Sequence, residues 1–242
     1  MHKIPFSMKE QHEKWYSQNL GRDIEMLVFG DRGYPVIAFP TSMGSYNQNK
    51  DFGLIDSAAW FVNEGLVKIY CVDGVDNDSW YSKNIHPADR AKNHIWYDKM
   101  LNEELVPRAM HETGVGKVAV AGCSFGGYHA VNFGFRHPEK TGYIFSMGGA
   151  FDIKDRVKGH YDDNIYFNNP PDFIPQASEP ELWQMNIVLG TSENDFCKQD
   201  NIHLSNILNQ KGIKHWLDIR PGLDHDWPAW KEMFPHYLSL IK

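Results

Sequence analysis

Cysteine is scarce in this chain, and the three present, Cys71, Cys123 and Cys197, follow no C-x-x-C spacing. An odd, unspaced set argues against a disulfide framework and against a structural zinc site. Long apolar runs are missing too, and no stretch reaches the length needed to cross a bilayer. The opening segment Met1–Glu10 lacks the apolar core of a secretory signal, so a reduced, cytoplasmic protein with no membrane role is expected. Basic runs are absent, and 24 Lys+Arg stand against 31 Asp+Glu, for a net charge of −7. Such a chain repels phosphate backbones at long range, which argues against nucleic acid as a partner. Repeats, low-complexity tracts and Pro/Ser-rich linkers are also lacking.

What is present suits a single domain over 1–242: 242 residues with 42% hydrophobic content supply one sizeable core. Apolar runs of strand length alternate with helical patterns, the signature of a mostly parallel central sheet with helices on both faces. Residues 13–19 and 23–29 flank Gly21 and read as an antiparallel pair. Further strands are predicted at 36–39, 66–72, 117–121, 143–147, 187–189 and 216–219. Helices are predicted at 51–64, 87–112, 125–136 and 199–210, with a last one starting near Pro228. Residues 152–180 read as an irregular, lid-like insertion, too long for an ordinary connection.

Gly122-Cys-Ser-Phe-Gly126 fits G-x-S-x-G, with Gly127 extending it. It follows an apolar run and opens a helical pattern, the context that separates a nucleophile turn from an ordinary Gly-rich one. Ser124 is the candidate nucleophile. Cys123 beside it reads as a small buried thiol, since such a turn exposes only its middle residue. A serine hydroxyl needs an imidazole to take its proton and a carboxylate to hold that imidazole, both on later loops of such a fold. Of the 12 histidines, His225 lies after the last strand and before the last helix; His129, His203 and His215 read as structural. Glu193 and Asp195 both qualify as the acid by position, with Asp195 taken first and Glu193 second. The oxyanion donors are expected to be the backbone N–H of Phe125 and one from the loop Pro40–Gly44, with Met43 the first choice and Ser42 the next. Trp80 and Tyr81, one loop away, are candidates for lining the substrate pocket, as are Tyr166 and Phe167.

At these residues the chain resembles the esterase branch of the α/β-hydrolases that includes S-formylglutathione hydrolase (esterase D), the acetyl xylan and feruloyl esterases and the mycolyltransferases. The matching pieces are Phe39-Pro-Thr-Ser-Met-Gly44, Asp78-Ser-Trp-Tyr81, Gly122–Gly127, Asp195-Phe196 followed by Asn201, and His225-Asp-Trp227. The resemblance implies an α/β-hydrolase fold, a triad of Ser124, Asp195 and His225, and a cleft bordered by the segment around Ser79-Trp80-Tyr81; Ser42 is a further candidate for binding the substrate. Where many relatives carry His-Gly, this chain has Thr41-Ser42. The expected activity is hydrolysis of a small-molecule ester through an acyl-serine intermediate, without metal or organic cofactor. Acyl transfer by the same residues and a non-catalytic binding protein are the rival readings. Pairing into a homo-oligomer is left open by the exposed edge strand.

Overall fold

A computed structural model of the chain describes residues 8–242; Met1–Ser7, within the stretch read for a signal sequence, lie outside the described residues. The strands are β1 (Glu10–Ser17), β2 (Arg22–Phe29), β3 (Tyr34–Phe39), β4 (Val67–Val72), β5 (Val118–Cys123), β6 (Thr141–Met147), β7 (Asn186–Ser192) and β8 (Trp216–Arg220). They form one eight-stranded sheet in the order β1-β2-β4-β3-β5-β6-β7-β8. β1 pairs antiparallel with β2, and β2 antiparallel with β4; every later pairing is parallel. This is the α/β-hydrolase arrangement expected from the sequence.

Helices fill the crossovers: α1 (Gln48–Asp51), α2 (Leu54–Ser57), α3 (Ala59–Asn63), α4 (Pro87–Met100), α5 (Val106–Thr113), α6 (Phe125–Arg136), α7 (Asp163–Tyr166), α8 (Pro170–Phe173), α9 (Lys198–Lys211) and α10 (Trp227–Leu238). Central strands are apolar throughout because both faces are covered. In β5, Val118 and Val120 face the core under α4, α5, α6 and α9, while Ala119, Ala121 and Cys123 face the core under α2, α3 and α10. β3 and β7 split the same way: Ile37 and Leu189 go to the first core, Val36 and Val188 to the second. Cys123 is therefore a core thiol, and burial pushes its pKa well above the usual value.

Two predicted elements differ in detail. The helix read over 51–64 is three short helices, interrupted where Gly53 takes φ +76° and again at Ala58. The long helix from Pro87 does run to Thr113, but Leu101–Leu105 widens into a π-helical turn between α4 and α5. Pro107 lies two residues beyond it, and a residue without an N–H cannot close the regular ladder. The 152–180 segment, expected to be irregular, consists of short helical turns whose Ile153, Val157, Ile165, Phe173 and Ile174 are buried. It is packed down on the body of the protein by its own apolar residues.

The glycines around residue 124 set how closely β5, α6 and β3 approach. A Cβ on Gly122 would stand 2.2 Å from the Gly126 carbonyl oxygen, and one on Gly126 would stand 2.5 Å from that of Pro40. Both obstacles are backbone, so neither can swing aside. Gly122→Ala is accordingly expected to destabilise the protein by about 2–4 kcal/mol. Gly116→Ala, where a Cβ meets nothing within 4 Å, is expected to stay within roughly 0.5 kcal/mol of the parent. Urea unfolding of the two variants measures this; equal stabilities would contradict the close-approach account.

Candidate active site

Ser124 links the end of β5 to the start of α6 with φ 55° and ψ −122°, a backbone conformation that L-residues with a side chain rarely hold. Its own N–H is fixed by the Met147 carbonyl at 2.8 Å. The turn is possible because Gly122, Gly126 and Gly127 leave room on every side: a Cβ on Gly127 would lie 2.5 Å from Ser146 Oγ. The serine hydroxyl is thereby presented at the carboxyl edge of the sheet, at the positive end of α6.

Asp195 comes from the loop after β7 and His225 from the loop after β8. Those loops are joined by backbone bonds, Glu193 N–H to the Arg220 carbonyl at 2.8 Å and Asn194 N–H to the Leu223 carbonyl at 3.1 Å. Ser124 Oγ lies 2.9 Å from His225 Nε2, and His225 Nδ1 lies 2.7 Å from Asp195 Oδ1. An ionised carboxylate only accepts, so Nδ1–H donates to Asp195 and Nε2 is left to accept the serine proton. Burial opposes ionisation of Asp195, but bonds from His225 and the Cys197 N–H (2.7 Å) outweigh it and hold the pKa below the ordinary carboxylate value. Its second oxygen packs on Gly148, where a Cβ would come within 2.8 Å of it. Phe196 lies over the imidazole at 4.0 Å between centroids and Trp230 meets it edge-on at 5.1 Å, so the ring is clamped on two sides. A hydroxyl, an imidazole and a carboxylate in this line can convert serine into a nucleophile.

Glu193, the second choice for the acid, is occupied elsewhere. Its carboxylate accepts the Gly222 N–H at 3.0 Å and steadies the His225 loop from outside. Asn201, in the first turn of α9, donates to the Gly149 carbonyl at 3.0 Å and ties that helix to the loop after β6.

The loop after β3 requires a correction. Met43, read as the second oxyanion donor, spends its N–H on Asp76 Oδ2 at 3.0 Å. Met43 has φ 56°, in a turn closed by Gly44 N–H to the Thr41 carbonyl at 2.9 Å, and Asp76 is what holds that conformation. Among the described residues no acceptor takes the N–H of Ser42 or of Phe125. Asp76 Oδ1 in turn accepts His129 Nε2–H at 2.9 Å, and both side chains are buried. His129 is structural as expected, but it supports the loop through an acid that sequence reading passed over. Only its place in the loop after β4 pointed to it.

Trp80 needs correcting as well. It is 1% exposed in a side cluster with Ala91, Phe125, Tyr128, Ile153, Val157 and Ile165, so it supports the cleft from below and lines no pocket. Tyr81, its neighbour, is partly exposed: its hydroxyl is 2.6 Å from Ser42 Oγ and its ring stands edge-on to Phe125 at 5.1 Å. Tyr166 and Phe167 lie instead beside a separate groove with Phe135, Arg136 and Phe173.

Among the described residues the one cluster of three or more donors close enough to hold a metal ion is Asp195, Cys197 and His225. Its chemistry fits a hydrogen-bonded relay better than a metal. The imidazole Nδ1 and the carboxylate already bond each other, and burial pushes the Cys197 thiol up to about 12, away from the thiolate that a metal would need.

The Asp76 bridge generates a stability prediction. Asp76→Ala leaves a buried imidazole and the Met43 N–H unpaired and is expected to cost about 3–5 kcal/mol. Asp76→Asn keeps an acceptor and is expected to cost less than half as much, roughly 1–2 kcal/mol. Urea denaturation of both variants reads the difference; identical losses would contradict the bridge.

A family model described as "Putative esterase" matches residues 17–240. A search of curated proteins finds no match. Among solved structures, a ferulic acid esterase superposes with a TM-score of 0.77 at 18% identity, over 98% of both chains. The S-formylglutathione hydrolase of Agrobacterium tumefaciens gives a TM-score of 0.77 at 12% identity, over 98% of this chain and 96% of that one. The corresponding Staphylococcus aureus enzyme, as the apoenzyme, gives 0.73 at 13% identity, over 97% and 99%. These likenesses show the α/β-hydrolase fold, and the family match extends over nearly the whole sequence. With its sheet order and its glycine-framed Ser124, the chain belongs to the family described as "Putative esterase", the hydrolases of this fold.

Proposed function

We propose that this protein is a serine carboxylesterase that hydrolyses small-molecule esters through an acyl-serine intermediate. The observation that carries the reading is the unbroken hydrogen-bond line from Ser124 through His225 to Asp195. His225 Nε2 takes the Ser124 proton as Oγ attacks the acyl carbon. The resulting oxyanion is held by the N–H groups of Phe125 and Ser42, neither of which has an acceptor among the described residues. The C–O bond to the alcohol then breaks, and His225 returns the proton to the departing oxygen. Water, deprotonated by the same imidazole, attacks the acyl-serine and releases the acid. Asp195 stays ionised throughout and keeps His225 in the tautomer whose Nε2 accepts. Of residues 152–180, Ile153, Val157 and Ile165 pack with Phe125 and Trp80 and so back the site, and the chain acts as a single unit.

The cleft wall of Tyr81 and Phe125 stands close beside the serine, and Trp80 behind it is packed solid. Short acyl chains are therefore the expected substrates. A series of p-nitrophenyl esters of rising chain length tests this on the parent and on three variants. Rates are expected to peak at short chains. Ser124→Ala and His225→Ala are expected to lower kcat by at least about 10³-fold, and Asp195→Asn by roughly 10⁴-fold. Full activity in Ser124→Ala would overturn the proposal.

A further inference from the structure

Arg156, in the segment that follows β6, stands apart from the other arginines. Arg22, Arg32, Arg90, Arg108, Arg136 and Arg220 each reach a carboxylate or a carbonyl. Arg156 has no ion pair and no side-chain hydrogen bond among the described residues. Its guanidinium lies instead against two aromatic rings, 4.0 Å from the centroid of Tyr81 and 5.1 Å from that of Phe125. Phe125 is the residue after Ser124, and the Tyr81 hydroxyl is 2.6 Å from that of Ser42, so the cation sits over the wall of the serine cleft. Contact with aromatic rings engages no N–H donor of a guanidinium, so those of Arg156 remain free for a ligand.

The placement is built from beneath. Arg90 is buried and donates to the Arg156 main-chain carbonyl, while the Arg156 N–H donates to the Ile153 carbonyl at 2.9 Å. The backbone at 156 is thus held without help from its own side chain. In a chain of net charge −7, an unpaired cation over the cleft wall has no internal partner to serve.

We infer that Arg156 is the specificity-determining residue of the site, and that the esters it selects carry a carboxylate, which the guanidinium binds through two parallel N–H···O bonds. This inference rests on the esterase reading above. The anionic group can belong to the acyl part or to the alcohol, and two substrate pairs separate these: 4-nitrophenyl hydrogen adipate against its methyl ester, and 4-acetoxybenzoate against its methyl ester. Arg156→Gln is expected to raise KM for the carboxylate member of at least one pair by about tenfold or more. The neutral member should be unaffected, and Arg156→Lys should recover part of the loss. Unchanged ratios in both pairs, or an equal loss on charged and neutral members, would overturn the inference.

A binding measurement keeps this separate from the chemistry. Adipate and 4-hydroxybenzoate are titrated calorimetrically into Ser124→Ala and into Ser124→Ala with Arg156→Gln. Weaker binding of either acid in the double variant, by about tenfold, supports the anion site even where no ester is turned over. Equal affinities in the two variants, or no binding of either acid, would reject it.

Discussion

The backbone of residue 124 is the constraint on which the rest depends. At φ 55° a serine is held in a conformation it would leave if its surroundings let it. They do not, because the approach of α6 to β5, to the end of β3 and to β6 with the loop after it leaves no room for a Cβ at 122, 126 or 127, and because the Met147 carbonyl anchors the serine N–H. That geometry lifts one hydroxyl out of the end of an apolar sheet and sets it beside the first turn of a helix. The imidazole of His225 is brought to it at the same edge by the loops after β7 and β8, which bond each other along their backbones.

A second strained residue completes the cleft, and its support is electrostatic. Met43 at φ 56° is held by the Asp76 carboxylate, which is itself bonded to His129 within α6. The helix that carries Ser124 thus also fixes, through one buried acid, the loop that faces it. The neighbouring Ser42 N–H has no acceptor among the described residues. The same cleft wall bears Tyr81 and, stacked on it, Arg156, so the group that would polarise the carbonyl and the group that would sort substrates share a support.

Much of this was legible in the sequence. Apolar runs separated by helical patterns led to the sheet and its two covering layers, because strands such as Val118–Cys123 that are buried on both faces have no polar positions to hide. Gly122, Gly126 and Gly127 marked the serine turn, since close backbone approach leaves few residues to choose from. Chain order placed Asp195 and His225 on loops that the structure brings together, whereas position alone left Glu193 beside Asp195, and the two differ in which side of the loop each side chain leaves. Met43, Trp80, Asp76 and Arg156 were not legible in the same way. Whether a main-chain N–H is free depends on an acid 33 positions away, and Trp80 and Tyr81 face opposite ways by a turn that no periodicity reveals. Arg156 lay in a stretch with no regular pattern, and its importance comes from the partner it lacks.

The central claim is that the Ser124 hydroxyl is made nucleophilic by an imidazole that Asp195 orients. Reaction of the folded protein with a fluorophosphonate, followed by peptide mass mapping, tests it most directly. The account predicts one adduct per chain, on Ser124, formed far more slowly when His225 is replaced by alanine. Absence of an adduct on folded protein, or an adduct on another residue, would contradict it.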